Sequence, residues 1–509
     1  MGVTLWQVTE EAAARRPAAV MVGDEHGRRL SFSEFRDATE QMASWLARQG
    51  VRGGDTVCWQ LPTQIRTLTT MAALSRLGAV QVPLIPQYRE REVAFIAGQT
   101  RPAAMLVPGS WNGVDYADLA RRSVEPTAAV ISLPELADLP APADLPARSD
   151  GPDGWIFFTS GTTGNPRGAV LQTANFVAAS SGWRERLGVR PTDCLTLNFP
   201  VAHVGGILNL LLSLLAGSSI ACTETFGRHV LKLYREWGVT LAGAGTAHHQ
   251  IYLEAQRDEP DVRLLPIVRG FIGGGAPKPA SLHYAMKEAF GVGIISGYGM
   301  TEGMVLSMNR LGDEDEKLAR SEGMAGPGVD LRVVSEDGSV CAPNVTGEIR
   351  VKSPTQCSGY FDDSLNEAAY DDNGYFRTGD LGFLDEDGYL IVTGRIKDVI
   401  LRKGETIDAK EIEDLLALHP AVAEIAVVGV PDDERGEMVC AVVVIRQDAE
   451  AHAAMKADPT QLVTELSAHL TRQGLMRQKH PERFELYSAL PRNATGKILK
   501  QELRRQLGR

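Results

Sequence analysis

Two rhythms of apolar and polar positions divide the chain. A helix signal runs from Thr4 to Ala14, a hairpin-like piece follows around Gly27, and a second helix carries Phe35, Met42, Trp45 and Leu46 on one face with Ser31 or Ser33 as cap. From Asp55 the pattern alternates: strand at Thr56 to Leu61, helix at Gln64 to Leu77, strand at Ala79 to Leu84, helix at Glu90 to Ala97, strand at Ala103 to Val107. Strands alternating with helices predict parallel sheets. The apolar run from Val204 to Cys222 is interrupted by Asn209, Ser213, Ser218 and Ser219. Its strongest part is about a dozen residues against the ~20 of a membrane span, so it reads as a core helix followed by a strand. From Glu322 to Gly394 the rhythm shortens to small strands between Gly and Asp turns, as at Glu336-Asp337-Gly338. Beyond Arg395 an α+β segment follows, with a helix at about Lys410, strands near Ile425 to Val430 and Cys440 to Ile445, a helix from about Thr460 and a strand near Phe484 to Tyr487.

The expected fold is therefore α/β: a large N-terminal domain over residues 1–394 and a smaller α+β domain over 395–509, which the resemblance given below implies is mobile. The Pro-, Ala-, Asp- and Gly-rich stretch Pro140 to Asp153 suggests α/β subdomains at about 1–150 and 151–325, with a small β-barrel-like subdomain at 326–394. Composition fits a globular protein of 509 residues, 44% hydrophobic and 23% charged. A net charge of −12 argues against general nucleic-acid binding, so a polyanionic ligand needs a local cluster of donors. None of the six cysteines falls at CxxC spacing, which argues against zinc and a disulfide framework. The chain does not open with a basic segment followed by an apolar run, and a cytoplasmic setting is expected.

Five stretches carry chemistry. In Phe157 to Val170, FFTSGTTGNPRGAV, four hydroxyls (Thr159, Ser160, Thr162, Thr163) and the glycines Gly161, Gly164 and Gly168 follow a buried strand from Trp155 to Phe158. Such a loop aims N–H and O–H donors at one anion, most naturally a phosphate. A mere Ser/Thr/Gly linker would not need a fixed strand before it, and the Walker A spacing is absent. In Ile295 to Glu302, Tyr298 between Gly297 and Gly299 can stack on a planar ring, Thr301 can donate to a phosphate and Glu302 can hold Mg²⁺. Upstream, Gly273 to Pro277 lets backbone approach a ligand closely. In Tyr375 to Leu381, Asp380 after a tight turn suits two ribose hydroxyls. Gly394-Arg395-Ile396-Lys397-Asp398 leads to Arg402-Lys403-Gly404-Glu405, and Pro491 to Lys497 puts one cation on a mobile loop.

Taken in order, TSGTTGNPRG, GYGMTEG, YFRTGDLG, GRIKDVILRKGE and PRNATGK closely resemble the adenylate-forming superfamily of acyl-CoA synthetases, peptide-synthetase adenylation domains and luciferases, over nearly the whole chain. The resemblance implies an acid–thiol ligase that uses ATP, Mg²⁺ and CoA on a carboxylic acid. It implies that Thr159 to Gly168, Arg167 included, cradles the ATP phosphates, and that Gly274, Gly275, Ala276, Pro277, Tyr298 and Gly299 line the adenine site. Thr301 would meet the α-phosphate, Glu302 the magnesium, and Asp380 the ribose with Arg395 beside it. Lys397 would be the hinge, Lys497 the adenylating lysine, Gly404 part of the face shown to CoA, and His203 a residue near the acyl pocket and thiol tunnel.

Arg167 departs from the family's usual lysine, replacing a compact ammonium with a planar fork. Gly245-Thr246-Ala247-His248-His249 and Gly297 suggest a roomy wall for the acid, and Gln478 to Arg483 resembles relatives that act on cyclic or medium-chain acids. Three other outcomes stay open: an enzyme limited to making acyl-CoA from a supplied adenylate, one that loads a carrier protein, and a non-catalytic adenylate binder.

Overall fold

The computed structural model describes residues 2–142, 145, 147, 153–159, 166–275, 278–402, 405–432, 435–446, 459–493 and 496–508. The first helix is Leu5–Arg15, and Thr4 caps it by accepting from the Gln7 N–H. Ser31 and Glu34 form a reciprocal capping box at the start of Phe32–Arg48, which buries Phe35, Met42 and Leu46. The hairpin around Gly27 is Val20–Asp24 against Arg29–Ser31.

Two sheets dominate, and both are parallel in the middle, with antiparallel strands at one edge of the first and at both edges of the second. A seven-stranded sheet holds the parallel strands Thr56–Trp59, Val80–Pro83, Ala104–Val107, Ala129–Ser132 and Gly154–Thr159, with Arg167–Gln172 and Gly359–Tyr360 antiparallel at one edge. A nine-stranded sheet runs from Met324–Ala325 at one edge, through Gly270–Gly274 and Ile294–Met300, to Arg29–Ser31 at the other. The sheets interleave in sequence. Residues 20–31 belong to the second sheet and 154–172 to the first, so a subdomain boundary at 150 gives way to strands exchanged across it. Asp153 explains part of that: the expected linker ends in a buried carboxylate that accepts from Leu5 N at 2.7 Å, from Thr173 Oγ1 at 3.1 Å and from Ser75 Oγ.

One apolar cluster joins both sheets through Phe32–Arg48, Ile65–Leu77, Thr173–Leu187 and Val204–Ala216. The last of these is buried all round, as its sequence predicts, and is followed by the strand Ser219–Cys222. Among the described residues no helix is long and apolar enough to cross a membrane. The six cysteines are free.

Asp330–Val334, Gly347–Lys352, Phe376–Leu384 and Leu390–Arg395 form a four-stranded antiparallel sheet, the small β unit expected from the Gly and Asp turns. A last sheet, with Val422–Asp432 and Gly436–Ile445 at its centre, lies wholly beyond Arg395 and packs with Ala409–Ala417 and Pro459–Arg472 as a small C-terminal domain.

Candidate functional site

Strand pairing brings three motifs to one place. Asp380 and Arg395 are direct cross-strand partners in the small β sheet, and the guanidinium Nε lies 2.7 Å from Asp380 Oδ1. Tyr298 donates its hydroxyl to Asp380 Oδ2 at 2.7 Å. Burial and the adjacent Asp380 carboxylate raise the Tyr298 phenol far above its usual range, so it stays a donor. Each Asp380 oxygen keeps a further lone pair for a ligand hydroxyl. Asp380 does not follow a tight turn as expected. It lies within the strand Phe376–Leu384, next to Gly379 at φ 69°, where the pairing with Gly347–Lys352 shifts register. That bulge re-aims the carboxylate.

Tyr298 lies in the strand Ile294–Met300, which runs straight through the Gly-Tyr-Gly motif. Glycine is required beside it: a Cβ on Gly299 would sit 1.6 Å from the Met304 carbonyl oxygen. Thr301 and Glu302 occupy the turn to Met304–Met308, where Met304 is held at φ 51°. The Glu302 carboxylate is buried, which raises its pKa, and its Oε1 accepts from the Tyr360 hydroxyl at 2.9 Å. Tyr360 also lies under the Arg167 guanidinium at 5.7 Å, and the positive charges of Arg167 and Arg395 favour the Glu302 carboxylate. One buried carboxylate beside a hydroxyl-bearing turn fits magnesium, which keeps waters and shares substrate phosphates instead of filling an all-protein cage.

Thr159 ends its strand opposite Arg167, and its hydroxyl reaches the Arg167 carbonyl at 3.4 Å. Ser160, Gly161, Thr162, Thr163, Gly164, Ala276, Pro277 and Gly404 lie outside the described residues. Gly274 ends its strand, and Gly275, at φ 77°, lines the cavity below.

That cavity, of about 440 Å³, lies between the domains, and Gly275, Tyr298, Gly299, Asp380, Arg395, Lys397 and Lys497 all line it. The C-terminal domain thus supplies its roof. Lys497 is bonded to Asn493 twice: Asn493 N donates to Lys497 O at 2.9 Å, and Lys497 N donates to Asn493 Oδ1 at 2.8 Å. Burial and the nearby Arg395 lower the Lys497 pKa to about 8, while Asp380, Asp398 and Glu302 oppose that fall. At the proposed hinge, Arg504 donates to the Lys397 carbonyl at 2.9 Å and lies 3.4 Å from Asp398.

Sequence reasoning missed part of this site. Lys278 and Glu322 face Lys410 across the domain boundary, and burial lowers Lys278 while raising Glu322. Glu322, Lys410 and Gln250 also line the cavity. Only Asp408, which caps Ala409–Ala417 just before Lys410, hinted at this in sequence. Gln478 to Arg483 serves the C-terminal domain itself: Lys479 Nζ bonds Glu411 at 2.5 Å and Glu482 pairs with Arg402.

A cluster of rings adjoins the cavity wall that Thr246, Ala247 and Gln250 line. The Phe199 ring is stacked on His203 at 5.7 Å and tilted toward His248 at 6.4 Å, while His248 lies 4.8 Å from Phe226. His203 caps Val204–Ala216 by accepting the Gly205 N–H at Nδ1, 3.1 Å away. Burial lowers both His203 and His248 to about 4, yet both residues keep some accessible surface.

Comparison with known proteins decides what this assembly belongs to. The family model described as AMP-binding enzyme matches residues 9–361, and that of the AMP-binding enzyme C-terminal domain matches 411–497. The chain belongs to the AMP-binding enzyme family. This AMP-binding enzyme is a member of the adenylate-forming superfamily, with its large N-terminal and small C-terminal domains. It is 28% identical to the medium-chain fatty-acid–CoA ligase of Escherichia coli (strain K12), over 99% of this chain and 90% of the relative. It is 30% identical to the salicyl-AMP ligase / salicyl-S-ArCP synthetase of Mycobacterium tuberculosis (strain ATCC 25618 / H37Rv), over 100% of this chain and 91% of that one. Among solved structures, o-succinylbenzoate CoA synthetase from Bacillus subtilis with its acyl-adenylate superposes with a TM-score of 0.84 at 28% identity, covering 98% of each chain.

Proposed function

We propose that this AMP-binding enzyme is an acyl-CoA synthetase that joins a carboxylic acid to ATP and then passes the acyl group to CoA. The observation that carries this reading is the delivery of Lys497 into the cavity that holds Tyr298, Asp380 and Arg395. Similarity to a medium-chain fatty-acid–CoA ligase and to a salicyl-AMP ligase / salicyl-S-ArCP synthetase supports it.

A carboxylate is a poor acyl donor because its leaving group would be oxide. In the first step a carboxylate oxygen attacks the α-phosphorus of ATP. The bond from that phosphorus to the bridging oxygen of the β-phosphate breaks, and pyrophosphate leaves with the electron pair. Asp380 takes the ribose hydroxyls, Tyr298 lies along the base, and Lys497 neutralises charge between the carboxylate and the α-phosphate. Thr301 donates to the α-phosphate, while Thr159 and Arg167 border the phosphate loop. Glu302 would hold magnesium, which when bound offsets phosphate charge. In the second step the CoA thiolate attacks the carbonyl carbon and AMP leaves. By then pyrophosphate has left and the carboxylate no longer has to approach the α-phosphate, so rotation about Lys397 can withdraw Lys497 and admit the thiol.

The test is pyrophosphate release from ATP over a panel of acids, with CoA present or absent. Acid-dependent release followed by a CoA thioester is expected. Release without a CoA thioester redirects the reading to a carrier-protein acceptor. Thioester from supplied acyl-adenylate without any release makes this a half-reaction enzyme.

A further inference from the structure

The ring cluster beside the cavity carries a more specific reading, which rests on the ligase reading above. Two helices start there, and each uses an imidazole at its first turn. His203 Nδ1 accepts from Gly205 N at 3.1 Å, and His248 Nδ1 accepts from Gly245 N at 3.4 Å. An accepting Nδ1 fixes the tautomer of a neutral imidazole with its proton on Nε2. Neither Nε2–H has a hydrogen-bond partner among the described residues. Both rings adjoin Phe199, and Phe226 closes on His248. The first turn of Thr246–Asp258 joins this cluster to the cavity: Thr246, Ala247 and Gln250 line the cavity, while His248 lies against the phenylalanines.

We propose that the acid is a flat, uncharged ring acid, aryl or heteroaryl, whose ring packs on Phe199 and whose hydrogen-bond-accepting substituent takes the Nε2–H of His248. The carboxylate then lies in the cavity under Lys497, with the ring one helical turn away.

Aromatic faces at these separations favour a planar ring in offset or tilted contact. A saturated chain fills the same space but leaves the imidazole donor unpaired in a desolvated place, and sites built around such a donor reject ligands that cannot pair it. A second carboxylate is disfavoured, because burial lowers both imidazoles well below their usual range and keeps them neutral in the free enzyme. Lys278, whose charge reaches the adjoining His249, gives its ammonium to the Ala319 carbonyl at 3.1 Å.

The experiment measures acid-dependent pyrophosphate release by the full chain with benzoate, the three hydroxybenzoates, cyclohexanecarboxylate, octanoate and terephthalate. At least one hydroxybenzoate should exceed cyclohexanecarboxylate and octanoate in kcat/KM by about tenfold or more. His248→Phe should erase that advantage through KM for the hydroxybenzoate. Benzoate should lose less than the hydroxybenzoate does, and KM for ATP should not move, which also shows that the variant folds. His248→Asn, which restores a donor, should recover part of the preference. Octanoate or terephthalate as the best acid overturns the proposal while leaving the ligase reading intact. Equal losses on benzoate and hydroxybenzoate in His248→Phe overturn it as well. No release with any acid overturns both readings.

Discussion

On the floor of the cavity, Tyr298, Asp380 and Arg395 sit on strands, and cross-strand pairing and direct bonds of 2.7 Å hold them together. On the roof, Lys497, bonded twice to Asn493, is carried by a domain that a guanidinium, Arg504, clamps at Lys397 and Asp398. In the proposed reaction the floor would bind what is common to both half-reactions, the nucleotide, and the roof would bring the Lys497 ammonium to the first. A group needed once can be mounted on a part that moves, and a group needed twice cannot. The charges follow the same division. Lys278 and Glu322 of the floor feel the charge of Lys410 of the roof in this arrangement of the domains.

Removing the roof's charge should separate the halves most. Lys497→Ala is expected to lower acid-dependent pyrophosphate release by about 10²–10³, the usual loss for one well-placed donor at a charged transition state. Thioester formation from supplied acyl-adenylate should stay near wild type. Equal loss in both steps would place Lys497 on the floor, functionally speaking, and end the comparison.

Asp380→Asn attacks the floor instead. It keeps the shape but removes the charge that Arg395 and Tyr298 hold. Hydrogen bonds to a charged group contribute about 1.5–3 kcal/mol, so KM for ATP should rise roughly 10- to 100-fold. Both half-reactions should weaken. A variant that loses only adenylation contradicts the assignment of Asp380 to the ribose.

Much of the floor was legible in the sequence because each motif lies on a regular strand or at its end. Trp155 to Phe158 announced the strand Gly154–Thr159, and the Gly-Tyr-Gly motif lies on Ile294–Met300. The partners of those motifs were not legible. Tyr360 reaches Glu302 across 58 positions, and Arg504 reaches Lys397 across 107. Neither carries a local signal, since a Tyr after Gly and an Arg on a C-terminal helix are ordinary surface choices until the chain folds. Gly245 to His249 suggested a pocket wall, but the fixed tautomers of His203 and His248 follow only from where two helices begin.

Arg504→Ala tests the clamp. It removes one bond to the Lys397 carbonyl and a part-exposed pair with Asp398, together worth about 1 kcal/mol. Pyrophosphate release should fall about two- to sixfold, with thioester formation from supplied adenylate unchanged or faster. A slower thioester step with normal release means the clamp holds the other arrangement.

The gentlest probe leaves every residue in place and changes the pH. Lys497 acts as a cation, and its pKa is lowered from 10.5 to about 8, first by burial and then by Arg395. The active form is therefore the one populated below the pKa, and it is lost as pH rises through about 8. Because kcat/KM reports the free enzyme, kcat/KM for pyrophosphate release should level off below pH 8 and fall about tenfold per pH unit above it. Bound ATP brings negative charge to the ammonium and should move the same break in kcat to higher pH. Thioester formation from supplied acyl-adenylate should lack this falling limb, since the roof's lysine is not used in that step and the thiol becomes a better nucleophile as pH rises. A release profile that stays level to pH 10 would mean that the ammonium is not desolvated between the domains in solution. The roof would then rest elsewhere until ATP draws it down.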